Sequence, residues 1–248
     1  MESSSGSAST PLLLRVPASL LPSAGKWPDD VAVWQIVVPD GAAGQTALTH
    51  GLAPAEQQRA GQYRQPADRD RFVTARHALR CLLGARLNVP PDGLRFAAGQ
   101  YGKPHLSDHP QLSFNVTHSG ARVLIAMSDV RHVGVDVESV DRTFDWTGPA
   151  RLVCSKPELQ WLQQMQPSLR LQAFLRVWTA KEALVKGVGT GIGDAMPDLT
   201  VDLSGADGGL PAAIASDSPL AAVCGFTYRW LSLQDGYTGC MAFERTGG

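Results

Sequence analysis

The chain has 248 residues, 44% of them hydrophobic and 18% charged, and a formal net charge of -1. That balance excludes a disordered chain and leaves room for one compact domain or two small halves. A charge so near zero excludes a global field for nucleic acid or an anionic membrane, so any anionic ligand must be held by a local cluster of bases. The four cysteines, Cys81, Cys154, Cys224 and Cys240, are far apart and form no C-x-x-C pair. A disulfide framework or structural zinc site is therefore not expected, and a reducing cytoplasm is. No run approaches the roughly 20 apolar residues of a membrane span. The start of the chain has no basic stretch leading into an apolar run, so no signal peptide is expected.

Residues 1–25 are rich in Ser, Pro and Ala and read as a loose tail, and residues 31–38 as a strand. Residues 54–87 have a helical texture, with Asp68 able to cap a segment in which Phe72, Ala75, Leu79, Leu82 and Leu83 recur at helical spacing. Arg69, Arg71, Arg76 and Arg80 interleave with that stripe and, taken alone, predict a solvated helix face. Residues 100–118 are turn-rich, 122–128 read as a buried strand, and 133–140 alternate strictly, as in a half-buried strand. A helix is expected after Pro157, a longer one over about 169–187 with Gly187 as its cap, and short strands beyond, including 221–233. Helices and strands mix without a βαβ rhythm, which predicts an α+β fold.

Two segments carry chemistry. In Gly134-Val135-Asp136-Val137-Glu138, the three valines at 133, 135 and 137 point one way and Gly134, Asp136 and Glu138 the other. Residues two apart on a strand are separated by roughly 6.5–7 Å, so both carboxylates can bend towards one cation. Mg²⁺ suits such a pair because it takes oxygen ligands and shares them with substrate phosphates. Gly134 would leave room beside the ion. An ordinary strand with acids facing water fits D-x-E equally well.

The second segment is Trp178-Thr179-Ala180-Lys181-Glu182-Ala183-Leu184-Val185-Lys186. On a helix, Glu182 and Lys186 sit one turn apart at the edge of an apolar stripe formed by Phe174, Val177, Trp178, Leu184 and Val185. An exposed pair contributing about 0.2–0.5 kcal/mol would account for those two residues. It does not account for Lys181, which falls inside the apolar arc, where an ion pair or a bound phosphate is required.

Together these segments resemble the Sfp-type 4′-phosphopantetheinyl transferase superfamily, whose signature is G-[IV]-D-[IV]-E followed by W-[ST]-x-K-E-[SA]-x-x-K. Gly102-Lys103-Pro104 and Phe114-Asn115-Val116-Thr117-His118-Ser119 match upstream family segments, so the resemblance spans about residues 54–190. It implies a pseudo-dimer of two similar α+β halves, each a small, mostly antiparallel sheet packed with helices, with coenzyme A bound between them. The halves are expected at 26–129 and 130–248, breaking near 128–132.

The implied activity is transfer of the 4′-phosphopantetheine arm of coenzyme A to a serine of an apo acyl or peptidyl carrier protein, releasing 3′,5′-ADP. The resemblance implies Asp136, Glu138 and Glu182 as ligands of Mg²⁺, with Mn²⁺ able to substitute. It also implies Glu182 as the base for the serine and Lys186 as the residue meeting the pyrophosphate and the departing nucleotide. His118 would bind phosphate, Lys103, Pro104 and Thr117 the nucleotide, and Arg71 and Arg76, with Arg59, the 3′-phosphate. The 56–59 segment is less basic than in relatives, and Thr117 stands where the family usually writes serine. Larger members act broadly in secondary metabolism, and a fused pseudo-dimer points to a monomer. A catalytically silent relative that only binds carriers is the alternative; retention of all three acids and Lys186 argues against it.

Overall fold

A computed structural model describes residues 14–141, 143–190, 195–203, 205, 207–212, 218–234 and 236–246. In chain order the elements are β1 (Ala18–Leu20), β2 (Ala32–Val37), α1 (Ala42–His50), α2 (Pro54–Gly61), α3 (Pro66–Leu87), β3 (Phe96–Ala98), β4 (Pro104–Leu106), β5 (Ser113–Ser119) and β6 (Arg122–Ser128). Then follow β7 (Val133–Ser139), α4 (Thr147–Val153), α5 (Lys156–Gln164), α6 (Pro167–Val188), β8 (Gly208–Gly209), β9 (Phe226–Trp230) and β10 (Tyr237–Glu244).

The strands form two four-stranded antiparallel sheets, ordered β1-β2-β6-β5 and β7-β10-β9-β8, with β3 and β4 a separate hairpin. The chain passes from one sheet to the other between Ser128 and Val133. Each sheet is backed by one 22-residue helix, α3 or α6. Proline at the first turn and a left-handed residue just past the end, Asn88 or Gly189, delimit both helices. Strand alternation then builds three cores. Trp34, Ile36, Val123, Ile125 and Met127 face α3, while Tyr228, Cys240 and Ala242 face α6. The opposite faces, with Val33, Leu124 and Ala126 from one sheet and Val133, Val135, Val137 and Met241 from the other, share a third core that joins the halves.

A second seam joins the halves edge to edge. Strand β7 pairs with β10 on one side only. On its other side the amides of Val133, Val135 and Ser139 donate to Ser113 Oγ (3.1 Å), Asn115 Oδ1 (2.9 Å) and Ser119 Oγ (3.0 Å) of β5. Alternate side chains of β5 thus satisfy backbone donors that a sheet edge would otherwise leave open.

Several expectations change. Residues 14–20, assigned to a loose tail, are ordered: Leu14 and Val16 are buried in the first core and β1 pairs with β2; residues 1–13 lie outside the described set. Strand β7 is buried on both faces over Val133–Val137 rather than half-buried, because α6 covers the face bearing the acids. Arg76 and Arg80 are not a solvated face. Both bind Glu56, Arg80 through Nε and Nη2 at 2.7 and 3.1 Å and Arg76 through Nε at 3.2 Å, and both lie over the Phe96 ring. Gly187 is inside α6, and Gly189, with φ of 82°, caps it. Lys181 has its ion pair, with buried Glu158 at 2.7 Å.

Gly134 does not make room for an ion. A Cβ there would stand 2.0 Å from the Ala183 carbonyl oxygen and 2.4 Å from the Gly187 nitrogen, so glycine is what lets β7 lie against α6. Because both neighbours are backbone, Gly134→Ala should lose at least about 3 kcal/mol of stability or fail to fold. A urea midpoint within error of the parent's would refute that close approach.

Candidate active site

The close packing of β7 on α6 places the acids. Asp136 and Glu138 rise from β7, while Glu182 and Lys186, one turn apart, descend from α6. Together with Val116, Thr117, His118 and Trp178 they line one cavity of about 320 Å³. Lys186 Nζ donates to Asp136 Oδ1 at 2.6 Å and lies 3.7 Å from Glu182 Oε2. Asp136 Oδ1 also accepts the Thr117 hydroxyl at 2.9 Å, and Glu138 Oε2 accepts that of Ser119 at 2.9 Å. The polar members of β5 therefore hold the acids of β7 as well as its backbone.

Burial sets the electrostatics. Desolvation raises the pKa of all three acids: Asp136 despite the opposing Lys186, Glu138 with a further push from Asp136, and Glu182 to about 7. Burial opposes the charge on Lys186, but Asp136, Glu182 and Glu138 outweigh it and hold the ammonium above its ordinary pKa. His118, on the rim, is pulled down by partial desolvation and by Arg71, which keeps the imidazole neutral near pH 7.

The neighbouring cavities continue this one. Val116 and His118 also line a cleft of about 400 Å³ with Arg59, Arg76, Phe72, Phe96 and Pro104. Glu138 and Trp178 also line an apolar cavity of about 490 Å³ with Phe144, Pro149, Phe174 and Leu175. The result is a groove that is basic at one end, acidic at its middle and apolar at the other.

Of the residues expected at a site, Asp136, Glu138, Glu182, Lys186, Thr117 and His118 share the central cavity, and Arg59, Arg76 and Pro104 line the basic cleft. Arg71 is not among the lining residues of either. It pairs with Asp68 one turn away and reaches the Gly120 carbonyl at 3.4 Å. Lys103 bonds to backbone carbonyls instead of facing the cleft. Ser119 and Asn115 were not anticipated as partners of β7, although their period-two spacing with Ser113 and Thr117 was a readable signal.

Among the described residues no three His, Cys, Asp or Glu side chains are gathered as a ready metal-holding group. The acids face one another across the cavity with the Lys186 ammonium between two of them. Two observations nevertheless fit a divalent cation. Asp136 Oδ2 and Glu182 Oε1 are buried oxygens without a hydrogen-bond partner among the described residues, and three desolvated carboxylates against one lysine leave negative charge uncompensated. The sign of the linkage gives a test. Protonation of Glu182 stabilises the fold below about pH 4.5, and that contribution is lost as pH rises through about 7. Mg²⁺ bound there should therefore displace protons at pH 6.5 and raise the melting temperature more at pH 8 than at pH 5. Calorimetric titration in buffers of different ionisation enthalpy measures the protons, and binding without proton release would show that Glu182 is not a ligand.

Comparisons with known proteins show the family. Residues 42–130 match the family model described as 4′-phosphopantetheinyl transferase, N-terminal, and residues 132–227 that of the 4′-phosphopantetheinyl transferase superfamily. The 4′-phosphopantetheinyl transferase HetI of Nostoc sp. is 32% identical over 167 residues, covering 66% of this chain and 70% of HetI. The chain belongs to the 4′-phosphopantetheinyl transferase superfamily. A putative 4′-phosphopantetheinyl transferase of Synechocystis sp. is 36% identical over 153 residues, which cover 61% of this chain and 62% of that relative's length. The L-aminoadipate-semialdehyde dehydrogenase-phosphopantetheinyl transferase of Rattus norvegicus is 26% identical over 195 residues, 73% of this chain and 59% of the relative. The two family matches end and begin at residues 130 and 132, where the chain leaves one sheet for the other.

Proposed function

We propose that this chain transfers the 4′-phosphopantetheine arm of coenzyme A to a serine hydroxyl of an apo acyl or peptidyl carrier protein, releasing 3′,5′-ADP. The observation that carries the reading is the central cavity. Three desolvated carboxylates face one lysine, between a basic aromatic cleft and an apolar cavity. Coenzyme A has the matching polarity along its length: an anionic nucleotide, a pyrophosphate and a long uncharged arm.

The nucleotide occupies the basic cleft. Arg76 holds its 3′-phosphate, with an Nη1 that has no protein partner, while Arg59 and the Phe72 and Phe96 rings flank it. The pyrophosphate lies at His118 and Lys186, and the arm runs past Trp178 into the apolar cavity. Asp136, Glu138 and Glu182 would hold Mg²⁺, which when bound would supply neutralisation of pyrophosphate charge. Glu182 accepts the proton of the serine hydroxyl as its oxygen attacks the phosphorus of the arm's phosphate. The bond from that phosphorus to the bridging oxygen breaks, and Lys186 meets the charge that appears on 3′,5′-ADP. Positioning and charge neutralisation are what phosphoryl transfer requires of a protein.

Incubation with coenzyme A, Mg²⁺ and apo carrier proteins of fatty-acid, polyketide and peptide-synthetase type, followed by mass spectrometry, tests the reading. A carrier heavier by one phosphopantetheine is expected. Unchanged masses across all three types would overturn it.

A further inference from the structure

We propose that Lys103 is a positioning residue that clamps the hairpin of the N-terminal half onto β7 and α6, fixing the distance between the nucleotide cleft and the acidic centre. The proposal rests on the transferase reading and assigns Lys103 a different role from the nucleotide contact implied by the family resemblance.

Lys103 sits in the turn between β3 and β4. That turn is closed by Gly102 N to Gly99 O and Gly99 N to Lys103 O, each 2.9 Å, with Gly102 at a φ of 80° that favours glycine. From this turn the side chain crosses to the other half. Its Nζ donates to Val133 O at 3.1 Å and to Gly187 O at 2.9 Å. Val133 opens β7, three residues before Asp136. Gly187 directly follows Lys186 in the last turn of α6, where carbonyls have no intrahelical partner and the helix dipole favours a cation. One ammonium therefore satisfies an open helix end and ties it to the strand it packs on. The stem runs along the helix cap, where a Cβ on Gly189 would meet Lys103 Cδ at 3.3 Å.

The same hairpin contributes Phe96, Ala97, Ala98, Gly102 and Pro104 to the basic cleft. The wall against which the nucleotide lies is thus anchored to the two elements that carry Asp136, Glu182 and Lys186. Burial lowers the Lys103 pKa, to about 8, and no carboxylate among the described residues offsets it. A residue kept there for long-range attraction would not be desolvated against neutral carbonyls.

The test compares Lys103→Met, which keeps the stem and removes the donors, with Lys103→Arg, which keeps a cationic donor group. For Lys103→Met we expect kcat to fall roughly 10- to 100-fold through misplacement, while KM for coenzyme A stays within about twofold. Faster hydrogen exchange at the Gly99 and Gly102 amides is expected in the substrate-free protein, and Lys103→Arg should recover part of kcat. A raised KM with kcat retained would overturn the clamp in favour of a phosphate ligand, as would unchanged exchange and kinetics. If Lys103→Met does not fold, titration of the wild-type Lys103 13Cε signal decides. A midpoint near 8 that 3′,5′-ADP leaves in place supports the clamp, and one that 3′,5′-ADP raises refutes it. The exchange and titration arms need no carrier, so they read the clamp even if the wild-type protein transfers nothing, a result that would refute only the transferase reading.

Discussion

Glu182→Gln should lower phosphopantetheinyl transfer at least about 10³-fold and leave the protein no less stable at pH 8. The two halves of that expectation have one cause. Glu182 is 3% exposed, and its pKa is raised to about 7, first by burial and then by the nearby Asp136 and Glu138, against the pull of Lys186. At pH 8 the native state therefore holds an anion that its surroundings disfavour, and an isosteric amide removes that cost. The 3.7 Å contact with Lys186 is lost, but Lys186 keeps Asp136 at 2.6 Å. Catalysis loses more: an amide cannot accept the serine proton and is a poorer ligand for a hard cation. Single-turnover transfer followed by mass spectrometry, alongside melting curves at pH 8, gives both readings. A wild-type rate would remove Glu182 from its role as base. A marked drop in melting temperature would show that its charge is structurally required.

Glu158→Ala should cost about 3–5 kcal/mol. Glu158 and Lys181 are 2% and 0% exposed, and the pair is closed on every side. Lys181 Nζ donates to Glu158 Oε2, Val153 O and Met196 O at 2.7, 2.7 and 3.1 Å. Glu158 also accepts the amides of Ser155 and Val201 at 2.7 and 2.8 Å. Removing the carboxylate leaves a buried ammonium hydrogen-bonded only to neutral carbonyls, besides two orphaned amides. Burial already pulls the Lys181 pKa down, and Glu158 is the main group opposing it. Chemical denaturation measures the loss. Lys181→Met in the same background should recover part of it, because it removes the uncompensated charge. A midpoint shift of less than about 1 kcal/mol for Glu158→Ala would show the pair to be dispensable. Activity should fall with stability, since Lys181 precedes Glu182 on α6.

Residue order alone determined much of this molecule. The apolar periodicity of 72–83 and 174–185 specified the two long helices, because a helix backed onto a sheet must present one continuous stripe. The alternation at 133–138 put Asp136 and Glu138 on one face, because strand side chains repeat every two residues. The spacing of Glu182 and Lys186 put those two on one helical edge. What lay opposite those faces was decided by contacts between residues far apart in the chain. Gly134 read as space for a ligand, yet the space is filled by the backbone of Ala183 and Gly187, fifty residues on. Arg76 and Arg80 read as solvated until Glu56, on another helix, closed on them. Lys181 was recognisable as anomalous, but only folding supplied Glu158 rather than an anion from outside. Local pattern governs which way a side chain points, since that follows from backbone geometry within a few residues. Burial, charge and pKa depend on what packs against it, and that exists only once the two halves have closed.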